Sequence, residues 1–276
     1  MRERRCTAAV VLSLRGGSYR YPGAALDSLQ DVSLELPEGS ITGLLGAAES
    51  GLSTLCLVLG GLAPRVIGGE LRGTLSIDGQ DVREWPMHRL SESVVLSVGQ
   101  PAGQLSMVAA TVYEEVAFGP ANLGLPRGEV MARTEQALDR LAITGLAGRD
   151  PRRLSGGQQQ LVVLAGLLAM RPRHLILDGP VSHLDAGTTE RVLGTLLDMA
   201  AAGAGVLVAE RRTTPLLGIS SNVVVMAAGR VRAVGSAEAV LADPALLALG
   251  IEEPPVLRTR RLLAEAGLGL DHEDLR

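Results

Sequence analysis

The chain changes its hydrophobic rhythm several times, and each change marks an element. Residues 10–14 alternate apolar and polar side chains, as do Val32-Ser33-Leu34-Glu35-Leu36 ahead of Pro37-Glu38-Gly39. A period of two sets one strand face on a core and the other in water, so both runs predict half-buried antiparallel strands ending in turns. Leu75-Ser76-Ile77 before Asp78-Gly79 repeats the pattern. By contrast, residues 41–45, 175–177 and 206–208 are short apolar runs flanked by helical patterns, which suits parallel strands covered on both faces. Residues 129–146 and 158–170 carry apolar positions three and four apart, are punctuated by Pro126 and Pro151, and predict helices. A helical insertion over about residues 88–170 is therefore expected. Two strands at 223–226 and 231–234 follow, and then a tail from Pro254 with one short helix over 256–266.

Composition narrows the function classes. The 276 residues, 46% of them hydrophobic, suffice for one large domain or for a domain with an appendage. A formal charge of -4 leaves no global basic field, and 2% aromatic content supplies no base-stacking platform, so nucleic acid is not expected as a partner. The apolar run at 161–170 is interrupted by Gly166 and falls short of the roughly 20 residues that cross a bilayer. The start, Met1-Arg2-Glu3-Arg4-Arg5, lacks a secretory pattern, so a cytoplasmic protein is expected. Cys6 and Cys56 provide neither a disulfide framework nor metal spacing. Lysine is absent, and all 26 basic residues are arginine.

Candidate chemistry begins where the strand ending at Leu45 runs into Gly46-Ala47-Ala48-Glu49-Ser50-Gly51-Leu52-Ser53-Thr54 and an apolar helix. The stretch resembles a P-loop, which reads glycine, four residues, glycine, lysine, then serine or threonine. In that pattern backbone amides wrap phosphates, the lysine reaches the terminal ones and the hydroxyl holds magnesium. Leu52 stands at the lysine position. Its substitution removes a charge-assisted contact of about 1.5–3 kcal/mol, roughly a ten- to hundredfold loss in affinity. A glycine-rich turn that merely packs a doubly wound sheet would look the same, so the loop alone decides nothing.

The downstream motifs settle the matter. Leu154-Ser155-Gly156-Gly157-Gln158, the apolar strand ending in Asp178 and Ser182-His183-Leu184-Asp185 occur in the order and spacing of ABC ATPases, and the chain resembles that family over roughly residues 8–245. The resemblance implies an α/β fold: a P-loop NTPase with a RecA-like mixed sheet, an antiparallel β subdomain and a helical subdomain. It implies a nucleotide-binding domain over 8–250, its helical part at about 88–170, and a C-terminal extension over 251–276. Nucleotide contacts fall on Tyr21 and on Gly46, Ala47, Ala48, Glu49, Ser50, Gly51, Leu52, Ser53 and Thr54; magnesium contacts fall on Ser53, Gln100 and Asp178. A match without gaps would put Gly99 in the place of Gln100. Tyr21 would stack on adenine or else fill a core. Ser155, Gly156, Gly157 and Gln158 form the signature that covers the phosphates of a second cassette, and Asp185 closes the D-loop. Ser155 would also cap a helix.

Catalytic positions of that family are replaced. Where it has a glutamate that polarises water, this chain has Gly179; where it has a histidine that senses the terminal phosphate, it has Arg211. Losing a general base removes a factor of about 100 to 10,000 in rate. The segment Thr111-Val112-Tyr113-Glu114-Glu115-Val116-Ala117-Phe118-Gly119-Pro120 resembles the ATPases of energy-coupling factor importers for vitamins and metal ions. This implies ATP and Mg2+ as ligands, a second intact ATPase subunit, a transmembrane coupling protein, a substrate-binding membrane subunit, and a place on the inner face of the membrane. A homodimer would be nearly inert, whereas a heterodimer would keep one complete site. A non-catalytic regulator or scaffold, or a soluble ABC protein outside transport, are the alternatives.

Overall fold

The computed structural model describes residues 11–266. The chain opens with β1 (Val11–Arg20), β2 (Leu29–Pro37) and β3 (Ile41–Leu45), then α1 (Leu52–Leu59), β4 (Glu70–Ile77), β5 (Gln80–Asp81), α2 (Met87–Ser91) and β6 (Val94–Ser97). Three helices come next, α3 (Val112–Asn122), α4 (Arg127–Arg140) and α5 (Gly156–Met170). The chain returns through β7 (His174–Asp178), α6 (Ala186–Ala201), β8 (Gly205–Glu210), α7 (Thr214–Leu217), β9 (Asn222–Ala227), β10 (Arg230–Gly235), α8 (Ala237–Leu241) and α9 (Pro255–Glu265).

Two sheets result. One is antiparallel in the order β2-β1-β4-β5, and the other is mixed in the order β10-β9-β3-β8-β7-β6. Strands β9, β3, β8, β7 and β6 run parallel, and only the β10 edge is antiparallel. The unbroken apolar runs belong to this second sheet because both of its faces are covered. Leu44, Ile176 and Leu207 face a core shared with α1 and the antiparallel sheet. Leu45, Leu175, Leu177, Val206 and Val208 face the opposite core, which α5 and α6 cover. Helices α3, α4 and α5 pack on one another as a separate layer.

The expected helical interval needs one correction. Strand β6 lies inside residues 88–170 yet pairs in parallel with β7, from Val94↔His174 to Ser97↔Leu177. The helical insertion therefore starts after Ser97. The last ten residues of the expected C-terminal extension lie outside the described residues.

His174 joins the two sheets. It is fully buried at the start of β7, with Nε2 3.2 Å from the Leu36 carbonyl oxygen and 3.3 Å from the Leu12 amide nitrogen. Burial holds its imidazole below the ordinary 6.5, against the opposing pull of the nearby Glu38 and Asp78 carboxylates. Because the folded value is depressed, the stability it contributes is complete above 6.5 and is lost as the pH falls below that value. Thermal unfolding of His174→Gln between pH 7.5 and 5 should show a weaker acid loss than the parent chain, by up to about 1.4 kcal/mol per pH unit.

Candidate functional site

The parallel register brings three loops to one edge of the mixed sheet. Leu45 pairs with Glu210, and Asp178 pairs with Ala209, so the chain leaves β3, β7 and β8 at nearly the same level. Ligands of open parallel sheets sit at the carboxyl ends of the strands. Here those ends enclose a cleft of about 480 Å³, walled by the loop at 47–54 on one side and by Asp178, Gly179, His183 and residues 209–212 on the other.

The glycine-rich loop is folded tightly. A Cβ at Gly46 would lie 2.5 Å from Ser50 Oγ and 2.7 Å from the Met226 carbonyl, so only glycine lets the strand pass. The Ser50 amide donates to the Ala47 carbonyl at 3.3 Å, and α1 makes its first bond from the Leu55 amide to the Gly51 carbonyl at 2.9 Å. The amides ahead of that bond have no carbonyl within the helix to meet, and they form the positive end of α1. Ser50 is 3% exposed, and its Oγ has no hydrogen-bond partner. The free amides suit an oxyanion. Leu52 is 7% exposed and belongs to the apolar core beneath the loop, so no long side chain arches over the cleft.

The opposite wall carries Asp178 and Glu210. Asp178 ends β7 half-buried, while Ser53 is exposed across the cleft. A hydroxyl and a carboxylate are oxygen donors of the kind magnesium accepts, so a metal–nucleotide pair fits these residues, with fewer protein ligands than expected. Bound there, the ion would neutralise phosphate charge. Gly99, and not Gln100, lines the cleft: a Cβ at Gly99 would sit 3.9 Å from Asp178 Oδ2. Gln104, which sequence reasoning passed over, sets this loop by accepting from the Val98 amide at 2.8 Å and donating to the Leu96 carbonyl at 2.9 Å. Gly179 comes after Asp178 in a left-handed turn with φ 64°, and its amide donates to the Ala209 carbonyl at 2.8 Å.

A second unforeseen residue is Glu210. It is 3% exposed at the end of β8, and Oε1 accepts the Val181 amide at 3.3 Å. Burial raises its carboxyl above the ordinary value, the Val181 bond and Arg212 oppose that rise, and Asp178 adds to it. Arg212 Nη2 donates to the Val181 carbonyl at 3.3 Å. Both polar groups of Val181 are thus held by the residues on either side of Arg211. The Arg211 side chain is exposed, and its guanidinium makes no hydrogen bond or ion pair among the described residues.

The segment 155–158 sits apart from this cleft. Ser155 caps α5: its Oγ accepts the Gln158 amide at 3.4 Å, and Gln158 Oε1 accepts the Ser155 amide at 3.2 Å. Ser155 and Gly156 are exposed, and a Cβ at Gly156 would meet nothing within 4 Å. Behind them, a Cβ at Gly157 would come within 3.2 Å of the His183 carbonyl. Tyr21 does not line the cleft. Its hydroxyl lies 3.1 Å from Thr54 Oγ1, and its ring meets Tyr19 edge-on at 4.9 Å. Ala48 and Asp185 are exposed outside the cleft, and Asp185 caps α6 through the Thr188 amide at 2.9 Å.

Residues 29–182 match the ABC transporter family. The chain belongs to that family. The ABC cassette is 38% identical over 252 residues to a cobalt import ATP-binding protein, CbiO, of Rhodobacter capsulatus, covering 90% of this chain and 86% of that one. It is 34% identical over 262 residues to an energy-coupling factor transporter ATP-binding protein, EcfA1, of Lactiplantibacillus plantarum, covering 94% and 90%. Among solved structures it resembles cbiO1 of Clostridium perfringens, part of an ABC transporter complex, with TM-score 0.75, 27% identity, and 94% and 98% of the two chains covered. The dimeric cassette MJ0796 bound to ADP and Pi, at TM-score 0.73 and 22% identity over 82% and 98% of the chains, shares the fold. The cassette thus has the P-loop sheet and antiparallel subdomain of ABC ATPases, a family that binds ATP with Mg2+.

The Gly179 turn resists repair. A residue with a Cβ there would take a left-handed φ costing about 1–2 kcal/mol, with Ser182 Oγ only 2.8 Å from the new atom. Gly179→Glu should lower the unfolding free energy read from urea titration of the purified chain by about 1–2 kcal/mol, and Gly179→Ala should do the same.

Proposed function

We propose that this chain is the ATP-binding subunit of an energy-coupling factor importer, and the catalytically degenerate half of a heterodimer. The observation that carries this is the outward face of Ser155 and Gly156, set apart from the chain's own cleft. A capped helix N-terminus with two glycines gives a phosphate amide donors and no side-chain obstruction. Offered to an intact partner, it completes the partner's site, where the lysine, base and sensing histidine belong to the partner. The chain's own cleft, with Leu52, Gly179 and Arg211 in those places, is a weak and slow nucleotide site. The kinship with cobalt import and energy-coupling factor ATPases supports a vitamin or metal ion as the cargo. Within this reading the domain spans 8–250, the residues after 250 are an extension, and Gln158 and Asp185 shape the lent surface.

The partners in the membrane would dock on the loop before α3. Glu115 binds the Ser106 amide at 2.6 Å and its hydroxyl at 2.7 Å, and Glu114 binds the Ala110 amide at 2.8 Å. Strapped in this way, the loop holds Met107 59% exposed and Val108 77% exposed, with Phe118 nearby in sequence on α3 and 43% exposed. Exposed apolar side chains beside one another mark a contact surface. No helix among the described residues is long and apolar enough to span a membrane, which suits a peripheral subunit on the inner face.

Two experiments test these points. Ser155→Arg in the purified heterodimer should cut ATP hydrolysis about 100-fold or more while the partner's own motifs stay intact; unchanged hydrolysis, or an active homodimer of this chain, would reject the assignment. Val108→Glu should reduce co-purification with the transmembrane subunit and leave hydrolysis by the detached ATPase pair unaltered.

A further inference from the structure

We propose that a separate cleft at the amino-terminal edge of the mixed sheet, away from the P-loop, binds a small apolar molecule carrying a single carboxylate, and that Arg140 receives the charge. The proposal is independent of the trans role of Ser155.

This cleft measures about 440 Å³, within the range of small-molecule sites. Its walls come from α4, the end of α5, the end of α6 and Glu38 of the turn after β2. Strands β7 and β8 begin here, after Arg173 and Ala204, whereas the P-loop cleft lies where they end. The floor is apolar. Ala137, Leu168 and Met199 line it and belong to the core beneath, and Pro172 is buried beside them.

The rim is cationic. Arg133, Arg140, Arg171 and Arg173 line the cleft against Glu38 alone. Three of these arginines are already engaged. Arg133 donates to Glu129 at 2.7 Å, Arg171 donates to Gln136 at 2.9 Å and lies 3.6 Å from Glu129, and Arg173 meets Glu38 at 2.8 Å and Asp78 at 3.4 Å. The exposed Arg140 side chain makes no hydrogen bond or ion pair among the described residues, so four guanidiniums share three carboxylates and one positive charge is left over. Helix carboxyl ends oppose an anion, but those that open here are met from within. Arg133 Nη1 donates to the Met170 carbonyl at 3.2 Å, and the Ala204 amide donates to the Met199 carbonyl at 3.0 Å. A guanidinium pairs with a carboxylate through two parallel donors and keeps its charge at every physiological pH. One surplus guanidinium above an apolar floor therefore selects a ligand with an apolar body and one carboxylate. A polyanion would leave charge unmatched over that floor.

The test is calorimetric titration of the purified full chain with octanoate, octanol and acetate. Octanoate should bind saturably, one molecule to each chain. Octanol, which lacks the charge, and acetate, which lacks the apolar body, should both bind more weakly. Arg140→Ala should weaken octanoate about fivefold, and Arg140→Gln serves if the alanine variant unfolds. Ala202 is exposed on the cleft wall at the end of α6, so Ala202→Trp should fill the cleft and abolish octanoate binding while leaving the core alone. Failure of the parent chain to bind octanoate at millimolar concentration would overturn the proposal. So would octanoate affinity unchanged in either folded variant, since the ligand would then lie elsewhere. Octanol bound as tightly as octanoate would overturn it as well, because the charge of Arg140 would play no part.

Discussion

Parallel pairing of β3, β8 and β7 is the constraint on which the rest of the molecule depends. Because Leu45, Glu210 and Asp178 end their strands within a residue of one another, three loops that are distant in sequence are delivered to a single edge. Parallel strands must be covered on both faces, and the two cores do this, with Leu44 and Leu45 in successive positions buried on opposite sides. Burial on both faces makes the sheet a stiff base, and a stiff base lets side chains on separate loops hold fixed positions across a cleft.

Given that frame, the substitutions act differently. Leu52 is more than a missing charge: it is an apolar residue absorbed by the core below the loop. Gly179 is more than a missing carboxylate, since the backbone there has taken a φ that other residues resist. Arg211 keeps a charge where the family has one that can be lost. The cleft keeps its tight loop, its free amides and its acid at Asp178.

Much of this was readable in the chain. The alternating runs became β1, β2 and β4, the continuous runs became β3, β7 and β8, and the capped glycines at 155–157 opened α5 as their pattern implied. Strand β6 was missed because three apolar residues and a serine carry no period of their own, and only pairing with β7 makes them a strand. The choice between Gly99 and Gln100 turned on Gln104, whose side chain fixes the loop by bonds that no local pattern announces. Glu210 was harder still. An acid after an apolar strand looks like a solvated terminus, and its burial depends on Val181 approaching from another loop.

The contact between Gly157 and the His183 carbonyl has a mechanical result. One backbone rests directly on another there, with no side chain to flex between them. The capped start of α5 and the rim of the chain's own cleft are consequently two sides of one joint. A neighbour pressing on α5 would push on β7's exit turn, and sequence drift at either place is limited by the other.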